Sequence, residues 1–262
     1  ELAEHFSHHD MLQLPNGNYL SIVEDIEDGP IPPDIPQAFL FQMLGYQVDG
    51  ITNEFPWVGD RIVEWDQNGN EVWSWTTHDY FSYLDYDEIA GTWAAALNDA
   101  RFDWTHANAF WFSEEENAIY FSSRHLSRIT KIDYTTGDII WNMGLEMPSG
   151  DVDCGQDLGF SFQHSITVLE NGNIVTLDNG NISVFLNNTD YPTTRALEIE
   201  VDELNIFSNL SEWHKKIGYV PQSIYLTDDT VRKNIAFGLR ENNIDDALVK
   251  EAVEKAHLSE FL

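Results

Sequence analysis

A chain of 262 residues with a formal net charge of −32 is long enough for a sizeable core, and its charge disfavours nucleic acid and anionic membrane surfaces as partners. The single cysteine, Cys154, excludes an internal disulfide framework and a cysteine-based zinc site, and no apolar run is long enough to span a membrane. The charge is lopsided: residues 1–202 carry six basic against thirty-five acidic residues, a net of −29, which makes each arginine there conspicuous.

In chain order, the first two hundred residues read as all-β. Short runs of Val, Ile, Trp, Tyr and Phe are punctuated by Asn16-Gly17-Asn18, Asn68-Gly69-Asn70, Thr136-Gly137-Asp138 and Asn171-Gly172-Asn173. Asn-Gly tolerates the positive φ of a tight hairpin. Gly29 to Thr52, with four prolines, predicts a long excursion between strands, and Tyr80 to Arg101 a second insertion that includes a short helix at Thr92–Leu97. Both insertions are candidates to roof a site.

An internal repeat runs through this region. Arg61-Ile-Val-Glu-Trp-Asp-Gln-Asn-Gly matches Arg128-Ile-Thr-Lys-Ile-Asp-Tyr-Thr-Thr-Gly, and Arg195-Ala-Leu-Glu-Ile-Glu opens a third copy. His9 and His164 each precede an Asn-Gly by seven residues, and His106 takes the equivalent place before the acidic turn Ser113–Asn117. Each unit therefore reads as four strands, which predicts a partial β-propeller of about four blades, followed by a short α/β tail. Successive blades present the same position to one axis, so His9, His106 and His164 are expected to converge. His106 and Asn108, two apart on a regular strand, are expected on one face, with Arg124 beside them. A cation and neutral donors on a rigid surface make an anion cradle. The tryptophans, Trp57, Trp75, Trp104 and Trp141 among them, read mostly as packing residues. Acidic stretches at Asp85-Tyr-Asp87-Glu88 and Asp151-Val-Asp153, and the run His8-His9-Asp10, could bind a cation but read at least as well as solvated loops, so no metal site is assigned.

Near Asp202 the character changes. A short strand is expected at Ile217–Gln222 and helices over Thr230–Leu239 and Ile244–Leu262, the last opened by Asp245 and Asp246 and striped by Ala247, Val249, Ala252 and Val253. The predicted domains are 1–202 and 203–262.

His106-Ala-Asn108, Ser122-Ser-Arg124-His125 and the phased His9 and His164 together resemble the bacterial arylsulfate sulfotransferases over about residues 5–200. The resemblance implies a six-bladed propeller type and a periplasmic or secreted protein. It implies transfer of a sulfuryl group from an aryl sulfate to a phenol, without a nucleotide donor and without a cofactor. His164 would be the transiently sulfated nucleophile, with His106, Asn108 and Arg124 on the sulfuryl oxygens. His9, or in a second register His8, would exchange the phenol's proton. A catalytically inactive propeller fragment that binds an anionic or aromatic ligand is the alternative. The tail, Trp213 through Gly238, resembles the Q-loop region of an ATP-binding cassette ATPase, with Gln222 at the glutamine position. No Walker A loop or Leu-Ser-Gly-Gly-Gln signature accompanies it, so the tail reads as an inert fusion fragment.

Overall fold

The computed structural model describes residues 7–153, 158–201, 220–221, 230–236 and 244–255. The chain divides into two compact units, Glu1–Gln222 and Ser223–Leu262. Cys154 and Gln222 lie outside the described residues.

The first unit is all-β in its frame. Three sheets follow one another, each with an antiparallel frame of four strands in sequence order, the first carrying a fifth, parallel strand. The first holds β1 (Ser7–Gln13), β2 (Tyr19–Pro30), β3 (Asn53–Trp65) and β4 (Glu71–Thr76), with α1 (Ala38–Met43) in the excursion between β2 and β3. After β4 come α2 (Thr77–Tyr80), α3 (Thr92–Asp99) and the two-residue β5 (Phe102–Asp103), which lies parallel on β3. The second sheet is β6 (Ala107–Ser113), β7 (Ala118–Ser123), β8 (Arg128–Asp133) and β9 (Ile139–Gly144). The third is β10 (His164–Val168), β11 (Ile174–Asp178), β12 (Arg195–Ile199) and β13 (Val220–Pro221), with α4 (Ser183–Leu186) before β12. The short strand expected at 217–222 thus completes the third sheet by pairing with β12 instead of opening the tail.

The repeats map onto this order. Arg61, Arg128 and Arg195 all fall on the third strand of their sheets, and the turn glycines Gly17, Gly69, Gly137 and Gly172 all have φ between +79° and +87°, a region glycine enters without steric cost. The second sheet is packed on both faces. On β7, Ile119 and Phe121 join one core with Trp57, Trp75 and Trp104, while Tyr120 joins another with Trp141, Phe160 and Ile174. Period-two alternation between two apolar faces explains why all six residues of β7 are buried.

The excursions pack on the aromatic core. Phe41 of α1 meets Phe55 and Trp93, and Trp93 of α3 stacks on Phe102 at 3.9 Å. Asp85 and Asp87 are buried rather than solvated, which corrects the loop expectation. Asp85 accepts from Arg128 at 2.6 Å and from Ser149 Oγ at 2.6 Å, and Asp87 accepts from Ile89 N and Ala90 N.

The second unit holds α5 (Val231–Ile235), capped by Thr230 Oγ1 accepting from Lys233 N, and α6 (Asp246–Lys255), with Asp246 in its first turn. Ala247 and Ala252 of the predicted apolar stripe are exposed. Among the described residues no helix is long and apolar enough to cross a membrane.

Candidate functional site

The start of the first strand in each sheet is irregular in the same way. The register slips between His8 and Met11 on β1, between Ala107 and Ala109 on β6, and between His164 and Thr167 on β10. His9, His106 and Ser165 sit at positive φ, +58°, +48° and +68°. Positive φ is costly for residues with a Cβ, and bulges re-aim the side chains they carry. Three repeats of one such distortion turn the histidines away from the regular strand faces.

The rings do converge. His9 lies 5.8 Å from His106 and 5.7 Å from His164, centroid to centroid, and His8 lies 5.2 Å from His9. His125 follows at 4.5 Å from His106. Five imidazoles, drawn from all three sheets, therefore form one continuous cluster. His78 supplies the contrast. Its Nε2 donates to Asp25 O and its Nδ1 accepts from Tyr83 Oη, so both nitrogens are spent on structure.

Two carboxylates organise the cluster. Buried Asp60 on β3 accepts from Thr105 Oγ1 at 2.5 Å and from Ala107 N at 2.6 Å, gripping the chain on either side of His106. Its other oxygen lies 3.2 Å from His8 Nε2, an ion-pair approach off the N–H axis. Contact with that carboxylate, opposed by burial, raises the His8 pKa. His9 goes the other way: partial burial and the neighbouring His8, His106 and His164 lower it. Asp103, at the end of β5, accepts from His106 Nδ1 at 2.5 Å through Oδ2 and from His125 Nδ1 at 2.7 Å through its main-chain oxygen. Burial pushes the Asp103 carboxyl up, but the His106 hydrogen bond and the neighbouring His125 and His106 rings outweigh it and hold it below its ordinary value. Buried His125, packed on Phe162, is lowered by desolvation.

Arg124 stands with its guanidinium 4.9 Å from the Phe162 ring centroid, half-buried, and its main-chain N–H donates to His106 O at 3.3 Å. No carboxylate lies within ion-pair distance of it among the described residues, in a chain where Arg61, Arg101, Arg128 and Arg195 all have one. Burial lowers its pKa, with Asp103 opposing, yet an arginine remains charged. His9 and His164 likewise make no side-chain hydrogen bond among the described residues.

Asn108 differs from expectation. The slip at Ala107/Ala109 places it inward, 3% exposed, with Nδ2 donating to Gln163 O at 2.7 Å. His106, a third exposed, is not on its face. Gln163 in turn donates from Nε2 to Ser122 Oγ and Arg128 O, each at 2.9 Å. Together they latch the residue before His164 onto the second sheet. A cavity of about 280 Å³ opens beside the cluster, lined by His8, His9, Asp60, Arg101, Asp103 and His106 among others; Arg124 and His164 are not in its wall. Of the two excursions expected to roof a site, residues 29–52 contribute nothing to that wall.

Asp103, His106 and His125 hold ligand-type atoms within 4.8 Å of one another. The 2.5 Å contact is a hydrogen bond, however, shorter than the roughly 3.3 Å between neighbouring ligands on a tetrahedral ion, and both Nδ1 atoms are already donors. Sequence reasoning assigned no role to Asp103 or Asp60, and quoted His125 only within its motif; the Asp103-Trp-Thr-His106 spacing was the one readable signal.

A family model for arylsulfotransferases matches residues 45–220, two thirds of the chain, including His106, Arg124 and His164. The chain belongs to the arylsulfotransferase family. Over 72 residues the chain is also 39% identical to ATP-dependent lipid A-core flippase 1 of Colwellia psychrerythraea (strain 34H / ATCC BAA-681). That stretch is 27% of this chain and 12% of the flippase, so the chain spans about an eighth of that relative.

Proposed function

We propose that this arylsulfotransferase moves a sulfuryl group from an aryl sulfate to a phenol through a sulfated His164. The observation that carries the reading is that His9 sits within 5.8 Å of both His106 and His164, while Arg124, joined to His106 O through its main-chain N–H, has no carboxylate partner among the described residues. In the first half-reaction a ring nitrogen of His164 attacks sulfur, an N–S bond forms and the S–O bond to the aryl oxide breaks. In the second, the phenol oxygen attacks sulfur, the N–S bond breaks and the phenol's proton passes to His9. Two easier displacements replace one difficult one. His164, whose imidazole makes no side-chain hydrogen bond among the described residues, keeps the lone pair of its unprotonated nitrogen for the attack. His9, held neutral by its surroundings, suits proton acceptance.

Sulfuryl transfer spreads negative charge over three oxygens, and fixed cations and donors stabilise it. Arg124 takes that role, joined by His106 in its imidazolium form, where Asp103 holds the Nδ1 proton and Nε2–H is the donor left for an oxygen. Asn108 contributes by holding the His164 segment through Gln163. The three sheets are read as consecutive blades of a six-bladed type, and family resemblance argues for a periplasmic or secreted location. No cofactor enters this scheme. Incubation with an aryl sulfate is expected to leave an acid-labile sulfo adduct on His164, detected by intact mass and peptide mapping. An unmodified His164 under turnover conditions sinks the covalent mechanism and favours a non-catalytic propeller that binds an anionic or aromatic ligand.

The tail is read as a passenger joined to the sulfotransferase-like region near residues 198–206. Its resemblance to an ATP-binding cassette Q-loop region and the similarity to the flippase support this. Residues 203–262 are expected to bind no ATP, since no phosphate-cradling loop is in the sequence. Saturable nucleotide binding in an equilibrium assay of the full chain would revive a regulatory role.

A further inference from the structure

We propose that Asp103 is a positioning residue that sets the tautomer of two site imidazoles at once, His106 through its carboxylate and His125 through its main-chain carbonyl. The proposal rests on the sulfotransferase reading for its kinetic arm only. An ionised carboxylate and a peptide carbonyl can only accept, so both rings must carry their proton on Nδ1. Free imidazole has no such constraint. In each ring Nε2 is then the nitrogen left for a ligand. The rings are 4.5 Å apart and inclined by only 31°, so one residue aligns two like-oriented imidazoles. Arg124 is joined to the same assembly through its N–H on His106 O.

Asp103 is itself fixed for the task. It closes β5, the short parallel strand registered on β3 with Val58 opposite Asp103, and Trp104 and Thr105, which follow, are fully buried. Thr105 is bonded to Asp60. The carboxylate–imidazole pairing is the device by which enzymes and metal sites orient a histidine, and its loss typically costs 10- to 100-fold.

The two acceptors on one residue provide an internal control. In the full chain at mildly alkaline pH, nitrogen-detected NMR is expected to show both His106 and His125 as the Nδ1–H form. In Asp103→Ala, His106 should lose that preference while His125, whose acceptor is backbone, keeps it. Single-turnover sulfation from an aryl sulfate should slow by about 10- to 100-fold, with the donor KM changed less than about threefold. Asp103→Asn, which retains an acceptor oxygen without the charge, should restore the tautomer and part of the rate. A His106 that stays Nδ1–H in Asp103→Ala, or a sulfation rate within twofold of the parent, overturns the proposal. Should Asp103→Ala fail to fold, Asp103→Asn decides. An Nδ1 proton resonance of His106 unmoved from the parent's then counts against the clamp, and an upfield shift confined to His106 supports it. If the parent itself shows no sulfation, the sulfotransferase reading fails while the NMR arm still judges Asp103.

Discussion

The five histidines of the cluster fall into two groups. Those of the second sheet, His106 and His125, are tied by Nδ1 to Asp103, and His8 leans on Asp60. Those that open the first and third sheets, His9 and His164, have ring neighbours but no side-chain hydrogen bond among the described residues. One residue type thus serves two purposes within a few ångströms. The anchored rings have a fixed orientation, which suits holding an oxyanion when Nε2 is protonated; the free rings keep the lone pair of a neutral imidazole available for bond making and proton exchange. Ring identity alone does not divide them; contact with Asp103 or Asp60 does.

The sharpest way to break that division is to remove a free ring. His164→Ala is expected to lower sulfuryl transfer by about 10³-fold or more, as loss of a nucleophile does elsewhere, with unfolding unchanged within about 1 kcal/mol. Residual turnover near that of the parent would move the nucleophile to another residue. Next in size is damage to the frame that holds the anchored rings in register. Asp85→Ala leaves the fully buried Arg128 guanidinium without its carboxylate, and a loss of about 3–5 kcal/mol in a denaturant titration is expected. A loss under 1 kcal/mol would mean water or a neighbour replaces the carboxylate.

Arg124→Ala comes third. It should reduce kcat by about 10²- to 10³-fold, the usual cost of one charge-stabilising donor, and Arg124→Lys should recover only part because an ammonium cannot present a planar fork. Unfolding free energy should barely respond, since the guanidinium makes no ion pair among the described residues; a large stability loss would recast Arg124 as structural.

The smallest effect concerns pH. His9 must be neutral to accept the phenol's proton, and its pKa is depressed, so the acidic limb of the acceptor half-reaction should lie below the ordinary histidine value of about 6.5. His8→Gln removes one of the charges that depress it, so the limb should move upward, by less than about one pH unit. A limb that stays put would detach His9 from the proton transfer. For stability the sign is the same: His9 and His125 stay neutral in the fold, so their contribution is present above about 6.5 and is lost as pH falls through the depressed values.

Much of the site could be read from spacing because repeats report phase. Seven residues from His9 to Asn16 and from His164 to Asn171 placed both at the start of a first strand, and the Arg61, Arg128 and Arg195 copies marked the third. Phase told which residues share a position in the sheets, and so which can meet. It did not tell which way they point. The expectation that His106 and Asn108 share a face assumed unbroken alternation; the bulge after Ala107 sends Asn108 under Gln163 and leaves His106 outward.

From its residues alone this protein is a repeated all-β chain with phased histidines and few arginines, because hydrophobic period, turn chemistry and repeat length are local properties written along the chain. Which imidazoles are anchored, that Asp103 serves two of them, that Asp60 grips the strand entering the second sheet, and that Val220–Pro221 closes the third were decided only by the tertiary structure. Those outcomes depend on hydrogen bonds between segments tens of residues apart and on one-residue slips in register, and neither leaves a periodic trace in the sequence.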